Sequence, residues 1–455
     1  MTRAVASARP ALRPELCKGC NRCVDTCAQG CISPGGEVDP LTGLVPIDLS
    51  LDACTGCGLC VEACPEPWGL RFDDGAPPPA AAAAPRDLPG EQLPLPGGGA
   101  LVLKGAHASA IGALLAGCRH FFGYPITPST EGAELMARVL PGLGGHFVQA
   151  VSEVAAVNMI YGCGGAGLPA MTFTSSPGFS LMLEGISYLI GAEVPGVFVD
   201  VMRAGPGLGN IGPEQSDIKL LCRGLGHGNT RAIVLAPATP QEMLDFTLLA
   251  FRLAFAYRSP VMIAADGYLG QMTGRVHLPG ALVRPGLPAW AVHGDAAHRP
   301  NLISSIHLAE VDLEAHNERL QAKYARMIDA EQRADLYRCE DAELLLVAAN
   351  TPARMAKGAI RALRDEGIAA GLFRPQTLWP FPVRALRPLL ERAAALLVVE
   401  ASDGQLEDEL RLALSHAGAG AGIPIHHVRR MGGVLPSQRE IVAGARAALA
   451  GRARA

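Results

Sequence analysis

The sequence predicts an α/β protein. A parallel sheet is expected over 98–290 and a smaller α/β unit over 338–455, with a small α+β domain ahead of both over 12–74. Three observations predict it. From residue 98, short apolar runs alternate with helical stretches, and continuous apolar strands mean a sheet covered on both faces. The same alternation resumes after residue 338. Ahead of residue 65 stand nine of the thirteen cysteines, in two quartets of identical spacing plus Cys31.

The quartets read CKGCNRCVDTC from Cys17 and CTGCGLCVEACP from Cys54. Each is C-x₂-C-x₂-C-x₃-C, the run that holds [4Fe–4S] clusters, with the fourth cysteine serving the other cluster in a two-cluster domain. One cluster is therefore assigned Cys17, Cys20, Cys23 and Cys64, and the other Cys27, Cys54, Cys57 and Cys60. Three closely spaced thiolates wrap three corners of a cube, and the fourth corner is closed from a distance, which folds the two halves together. Zinc ribbons use two cysteine pairs rather than two quartets. Cys31 reads as a buried structural thiol.

Residues 75–97 are a Pro/Ala/Gly run, read as a semi-rigid linker. Strands are then expected at 100–103, 120–126, 146–151, 169–176, 194–203, 231–237 and 260–267. Helices are expected at 105–118, 130–140, 152–164, 179–190 and up to 257. Thr239-Pro240-Gln241-Glu242 is a capping box with proline in the first helical position. Residues 271–300 read as irregular, and 311–337 as a polar, exposed bridging helix. The second unit offers strands at 344–350, 369–375, 395–402 and 423–428, with helices at 353–366, 384–393, 404–416 and 436–449.

The 455 residues are 49% hydrophobic and 18% charged, enough for large cores, and a net charge of −4 argues against a nucleic-acid partner. The N-terminus has no apolar signal region, and no uncharged run is long enough for a membrane span. Thiol-rich chemistry without a secretion signal fits a reducing compartment, so a cytoplasmic location is expected.

Open α/β sheets bind ligands at the carboxyl ends of their strands. Thr127, Glu153, Thr174, Ser175 and Arg203 all fall there. Glu153 opens a helix, EVAAVNMIYG, that is otherwise free of charge. Together these residues describe a site with a carboxylate, a guanidinium and hydroxyls. Gly207-Leu208-Gly209-Asn210-Ile211-Gly212 fits a dinucleotide fingerprint by spacing, but it opens no apolar helix and has no acid at the required distance. It is read as a loop whose backbone approaches a ligand or partner closely.

Residues 98–455 resemble the α subunit of 2-oxoacid:ferredoxin oxidoreductases, which are thiamine-diphosphate enzymes. The resemblance is carried by GYPITPST (123–130), SEVAAVNM (152–159), TFTSSPGFSLMLEG (172–185), VMRAGPGLG (201–209) and RPQTLWPFP (374–382). The two-cluster segment resembles the family's ferredoxin-like subunit, fused here to the α subunit. The resemblance implies a pyrimidine-binding domain over 98–290, a connector over 291–337 and a transketolase C-terminal-like domain over 338–455. It implies that Glu153 hydrogen-bonds the aminopyrimidine ring of the cofactor, and that Thr127 and Arg203 bind the substrate carboxylate. Asp217, in GPEQSD, stands at the place of an acidic loop motif.

The G-D-G and asparagine pair that holds Mg²⁺ in such enzymes has only Ala265-Asp266-Gly267 as a near match. The resemblance therefore implies a β subunit that brings the diphosphate and Mg²⁺ half of the site, together with a γ subunit. The implied reaction is CoA-dependent oxidative decarboxylation of a 2-oxoacid, with electrons leaving through the clusters to ferredoxin. GPGLGNIGPEQSD, with GHG at 226–228, is more similar to enzymes of 3-methyl-2-oxobutanoate than to those of 2-oxoglutarate, the alternative substrate. A reading of another class is a non-catalytic iron–sulfur scaffold, in which Glu153 has no role.

Overall fold

The computed structural model describes residues 9–39, 43–66, 69–72, 90–95 and 99–450. Contacts divide the chain into two compact units. One joins Met1–Pro85 with Ala289–Leu302, and the other joins Arg86–Pro288 with Ile303–Ala455.

The larger unit is organised by a seven-stranded sheet. Across it the strands run Thr377–Trp379, Ile233–Leu235, Pro260–Asp266, Gly196–Met202, Ala170–Thr174, His120–Gly123 and His146–Gln149. All neighbours are parallel except Thr377–Trp379, which is antiparallel to Ile233–Leu235. Every residue of Gly196–Met202 and Pro260–Asp266 is buried. That is why these strands read as apolar runs, with Asp200 and the terminal Asp266 the exceptions: helices cover both faces. Near the other edge, Phe121 stacks on Phe147 with ring centroids 5.1 Å apart. The helix Pro240–Tyr257 starts at the capping box, where the Glu242 N–H donates to Thr239 Oγ1 at 3.1 Å.

A second sheet runs Ala334–Tyr337, Ala370–Pro375, Leu344–Val347, Ala395–Glu400 and Ile425–Arg429. Its first pair is antiparallel and the rest are parallel. The two sheets are clamped together by side-chain amides. Gln215 Nε2 donates to Asn350 Oδ1 at 3.0 Å, and Asn350 Nδ2 donates to the carbonyls of Pro237 and Ala264.

Several segments depart from the sequence pattern; among them, the expected helix 384–393 is a short helix, Val383–Leu386, followed by the 3-10 turn Arg387–Glu391. Ala100–Lys104 is a strand, but it pairs antiparallel with Thr273–His277 and stays outside the large sheet. Leu101 and Val102 are exposed, so this short run lacks the double burial of a central strand. Residues 271–300, expected to be irregular, contain that partner and a second strand, Ala281–Arg284. The latter pairs with Glu91–Pro94, which lies inside the expected linker; residues 75–89 and 96–97 of that linker fall outside the described residues.

The bridging helix spans Glu310–Ala330 and is not exposed all round. His316, Leu320, Lys323, Tyr324 and Met327 form a buried face at helical spacing. The buried Lys323 ammonium lies 2.9 Å from Glu193 Oε1, so its charge is paired. The residues up to 337 form the edge strand instead, where Asp335 meets Arg374 and Lys357.

In the smaller unit Pro10–Leu12 pairs with Leu70–Phe72, and Ile32–Pro34 pairs with Ile47–Leu49, both antiparallel. Two short helices, Arg22–Thr26 and Leu59–Ala63, occupy equivalent places in two similar halves. Each half has a 3-10 turn leading to its first cysteine and a left-handed residue, Asn21 or Gly58, before its helix. In Ala289–Leu302, Asp295 accepts from His293 and His298 Nδ1, at 2.9 Å and 2.8 Å. Those hydrogen bonds, His298's first, hold the Asp295 carboxyl down at about 2.

Candidate functional site

Thr127, Glu153, Thr174 and Arg203 each leave the carboxyl end of a strand in the seven-stranded sheet. Glu153 is the first residue of the helix Glu153–Gly165, capped by Ser152, whose Oγ accepts the Ala155 N–H at 3.3 Å. It is a buried carboxylate, 4% exposed. The bare Cα of Gly178 lies against it: a Cβ there would collide with Glu153 Oε1 and Thr174 Oγ1. The Thr174 hydroxyl is itself buried and has no hydrogen-bond partner among the described residues. A carboxylate and an unpaired hydroxyl thus flank a gap that only glycine leaves open.

Arg203 and Thr127 meet directly. Arg203 Nη1 donates to the Thr127 carbonyl at 2.8 Å and Nη2 to the Leu208 carbonyl at 3.2 Å. Arg203 Nε is buried without a partner among the described residues, so the fork keeps a donor in reserve. Ser176 fixes Arg203 from behind: its Oγ accepts the Arg203 N–H at 2.9 Å and lies 3.2 Å from the Arg203 carbonyl. Ser176 and Gly178 belong to the same helix turn, so the helix Ser176–Gly191 links the Arg203–Thr127 pair to Glu153.

The Ser176 hydroxyl donates to Asp217, whose carboxyl burial pushes up to about 6. Neither Gly178 nor Ser176 is singled out by the sequence pattern. The signal lay inside SSPGF, where a glycine and a proline open an otherwise good helix.

Asp266 does not present a free metal ligand. Its Oδ1 accepts from the Leu269 N–H and the Thr351 hydroxyl, and its Oδ2 from the Thr351 N–H, all within 2.9 Å. This carboxylate is fully used in joining two segments, and the residues here do not fit a Mg²⁺ site. The Gly207–Gly212 loop also carries no dinucleotide turn. It folds back so that Ala204 N–H donates to the Gly212 carbonyl, and Asn210 Nδ2 donates to the Gly432 carbonyl.

The cysteines gather around two cavities. Cys17, Cys20, Cys23 and Cys64 line one; Cys27, Cys54, Cys57 and Cys60 line the other, with Cys31 beside them. That crossed grouping is what two clusters exchanging their fourth ligands require. Among the described residues no three His, Cys, Asp or Glu side chains converge on a site for a single ion. Cys23 and Cys60 sit inside the short helices and are buried, and burial pushes their thiols up. The Cys31 N–H donates to Cys27 Sγ at 3.3 Å and holds that thiol down.

Comparison with known proteins assigns both regions. Residues 111–287 match the model for the thiamine-diphosphate-binding region of pyruvate flavodoxin/ferredoxin oxidoreductases. Residues 342–441 match core domain II of pyruvate:ferredoxin oxidoreductase, and 16–67 match a 4Fe-4S dicluster domain. Ketoisovalerate oxidoreductase subunit VorB of Methanothermobacter marburgensis is 48% identical over 343 residues, which covers 75% of this chain and 96% of that subunit. 2-Oxoglutarate synthase subunit KorA of Archaeoglobus fulgidus is 37% identical, over 68% of this chain and 90% of its own. Among solved structures, 2-oxoglutarate:ferredoxin oxidoreductase from Magnetococcus marinus, with 2-oxoglutarate, coenzyme A and succinyl-CoA bound, superposes with a TM-score of 0.69 at 25% identity. The match covers 77% of this chain and 65% of that one.

The fold and its two kinds of site define an oxidoreductase subunit that combines a thiamine-diphosphate-binding domain with an iron–sulfur relay. The chain belongs to the 2-oxoacid:ferredoxin oxidoreductase family, as an alpha-type subunit with an N-terminal [4Fe–4S] domain. Its cofactors are thiamine diphosphate and [4Fe–4S] clusters, and its relatives are subunits of larger enzymes. No helix among the described residues is long and apolar enough to cross a membrane.

Proposed function

We propose that this chain supplies the aminopyrimidine half of the active site, and the electron outlet, of an enzyme that oxidatively decarboxylates 3-methyl-2-oxobutanoate with CoA. The single observation that carries the reading is the buried Glu153 facing the bare Cα of Gly178 beside the unpaired Thr174 hydroxyl. Thiamine diphosphate, when bound, supplies the carbon nucleophile and the electron sink. Glu153 holds a proton at the ring nitrogen of the aminopyrimidine. Arg203 offers its remaining guanidinium hydrogens to the substrate carboxylate, and Thr127, held by Arg203, borders the same place. Electrons leave through clusters ligated by Cys17, Cys20, Cys23 and Cys64, and by Cys27, Cys54, Cys57 and Cys60, to a ferredoxin in the cytoplasm.

A β subunit holds the diphosphate and Mg²⁺, in keeping with an Asp266 that has no coordination left to give. A γ subunit completes the assembly. The rim of the half-site supports a docked partner. Val151 is 88% and Leu208 84% exposed, and Val154, Leu181, Ile211 and Tyr268 are exposed as well. Val151 and Leu208 lie near Glu153 and Arg203 in the chain, so these exposed apolar side chains stand beside the site residues a partner would have to reach. Val151→Glu with Leu208→Asp is expected to abolish co-purification of the β subunit while both clusters stay intact. Unchanged co-purification would place the partner elsewhere.

The branched-chain reading is favoured by the similarity to VorB; the KorA similarity makes 2-oxoglutarate the second candidate. The test is a panel of 2-oxoacids presented to the chain co-expressed with its partners, read as CoA-dependent viologen reduction. The reading fails if 2-oxoglutarate is turned over with a higher kcat/KM than 3-methyl-2-oxobutanoate. In the same assay Gly178→Ala should lose on the order of a hundredfold in kcat, since a displaced Glu153 no longer meets the ring. Wild-type turnover by that variant would mean that Glu153 does not act at this gap.

A further inference from the structure

Behind the Arg203–Thr127 pair lies a group that the reaction scheme above leaves unused. Asp200 is on Gly196–Met202, the strand in the middle of the seven-stranded sheet, and is fully buried. Neither of its oxygens meets a nitrogen or hydroxyl donor in hydrogen-bond geometry among the described residues. Its neighbour is the carboxyl of Asp217, with the Ser176 peptide close by. Two ionised carboxylates facing each other in the buried interior would repel, with no hydrogen between their facing oxygens. One proton between them removes one charge and supplies the missing donor.

Asp217 is the link to the site. It also accepts the Ser176 hydroxyl, and Ser176 in turn holds the Arg203 N–H at 2.9 Å. The other charged groups that bear on Asp217 are Glu214, which repels it, and Arg203, which attracts it. Glu214 is occupied by the Gly205 N–H at 3.2 Å. The order of contact is therefore Asp200, Asp217, Ser176, Arg203, Thr127.

We infer that Asp200 and Asp217 share a single proton, and that the pair, as one negative charge, positions Ser176 and through it the substrate-binding Arg203. Burial and the facing Asp217 carboxyl both push Asp200 up, in agreement with Asp200 being the partner that keeps the proton. A positively charged guanidinium opposite a singly charged pair is balanced; opposite a neutral or a doubly charged pair it is not. Asp200 is thus a positioning residue, and it reaches the substrate only through Arg203. The inference rests on the assignment of Arg203 to substrate binding.

The test separates the two. In the assembled enzyme, Asp200→Asn replaces a protonated carboxyl with a neutral donor of the same shape. It should keep kcat and KM within about threefold of wild type. It should also delete one protonated-carboxyl carbonyl band from the infrared difference spectrum against wild type. Asp217→Asn removes the charge, and should raise KM for the 2-oxoacid by roughly tenfold or more with a smaller change in kcat.

A folded Asp200→Asn enzyme that has lost activity, or one whose spectrum shows no missing band, overturns the shared proton. If Asp200→Asn does not fold, the wild-type spectrum is recorded across the neutral pH range. The absence of any protonated-carboxyl band there overturns it equally. If the band is lost as expected but Arg203→Lys and Asp217→Asn leave KM unchanged, the proton stands and the substrate role of Arg203 fails.

Discussion

Glu153→Gln is expected to lower turnover of the assembled enzyme by at least about a hundredfold while leaving the visible spectrum of the clusters unchanged. The substitution keeps shape and hydrogen-bonding capacity but removes the carboxylate that can hold a proton. Glu153 is buried at the start of an apolar helix, with Gly178 and Thr174 around it. Glutamine fits the same space, so the loss is chemical and not structural. Binding of thiamine diphosphate, measured by calorimetry, should weaken much less than kcat falls. Turnover within a few-fold of wild type would remove Glu153 from the mechanism and revive a purely electron-carrying role for the chain.

The second large effect concerns the relay. Cys64→Ser and Cys27→Ser should each cost roughly half of the cluster iron, and the cluster lost should differ between them. Cys64 lies far along the chain from Cys17, Cys20 and Cys23 yet lines their cavity, and Cys27 lines the cavity of Cys54, Cys57 and Cys60. Serine is a hard, poor ligand for iron in a thiolate-held cube. Electron paramagnetic resonance of the two reduced variants should therefore show two different remaining signals. Identical signals would overturn the crossed assignment, and zinc in place of iron would overturn the clusters themselves.

The cysteine spacing was fully legible in the sequence because cluster ligation is a local rule: three ligands within one short run set the geometry. The parallel sheet was legible for the same kind of reason, since strands such as Val261–Ala265 announce double burial by being apolar throughout. What the pattern does not reveal is pairing over long distances. Ala100–Lys104 looks like a first central strand, and only its partner Thr273–His277 shows it to be an antiparallel ribbon. Glu91–Pro94 carries two prolines' worth of linker character around it and still pairs with Ala281–Arg284.

At the site, Thr127, Glu153 and Arg203 stand out because each is a polar group at the end of an apolar strand. Gly178 acts by lacking a side chain, and Asp200 looks like one more residue of a buried strand. Their roles are visible only when the atoms around them are.

The antiparallel strand Thr377–Trp379 has a consequence for how this chain can be divided. It belongs by sequence to the C-terminal part, yet it closes the large sheet along Ile233–Leu235, where the Ala236 N–H also donates to the Gln376 carbonyl. Without it, that side of the sheet ends in a row of unsatisfied backbone groups, the kind of edge to which foreign strands add. A gene fission that placed the two α/β halves on separate polypeptides would have to carry this strand with the first half, or keep the halves permanently associated. Carrying both segments on one chain thus keeps this edge covered whenever the chain is folded.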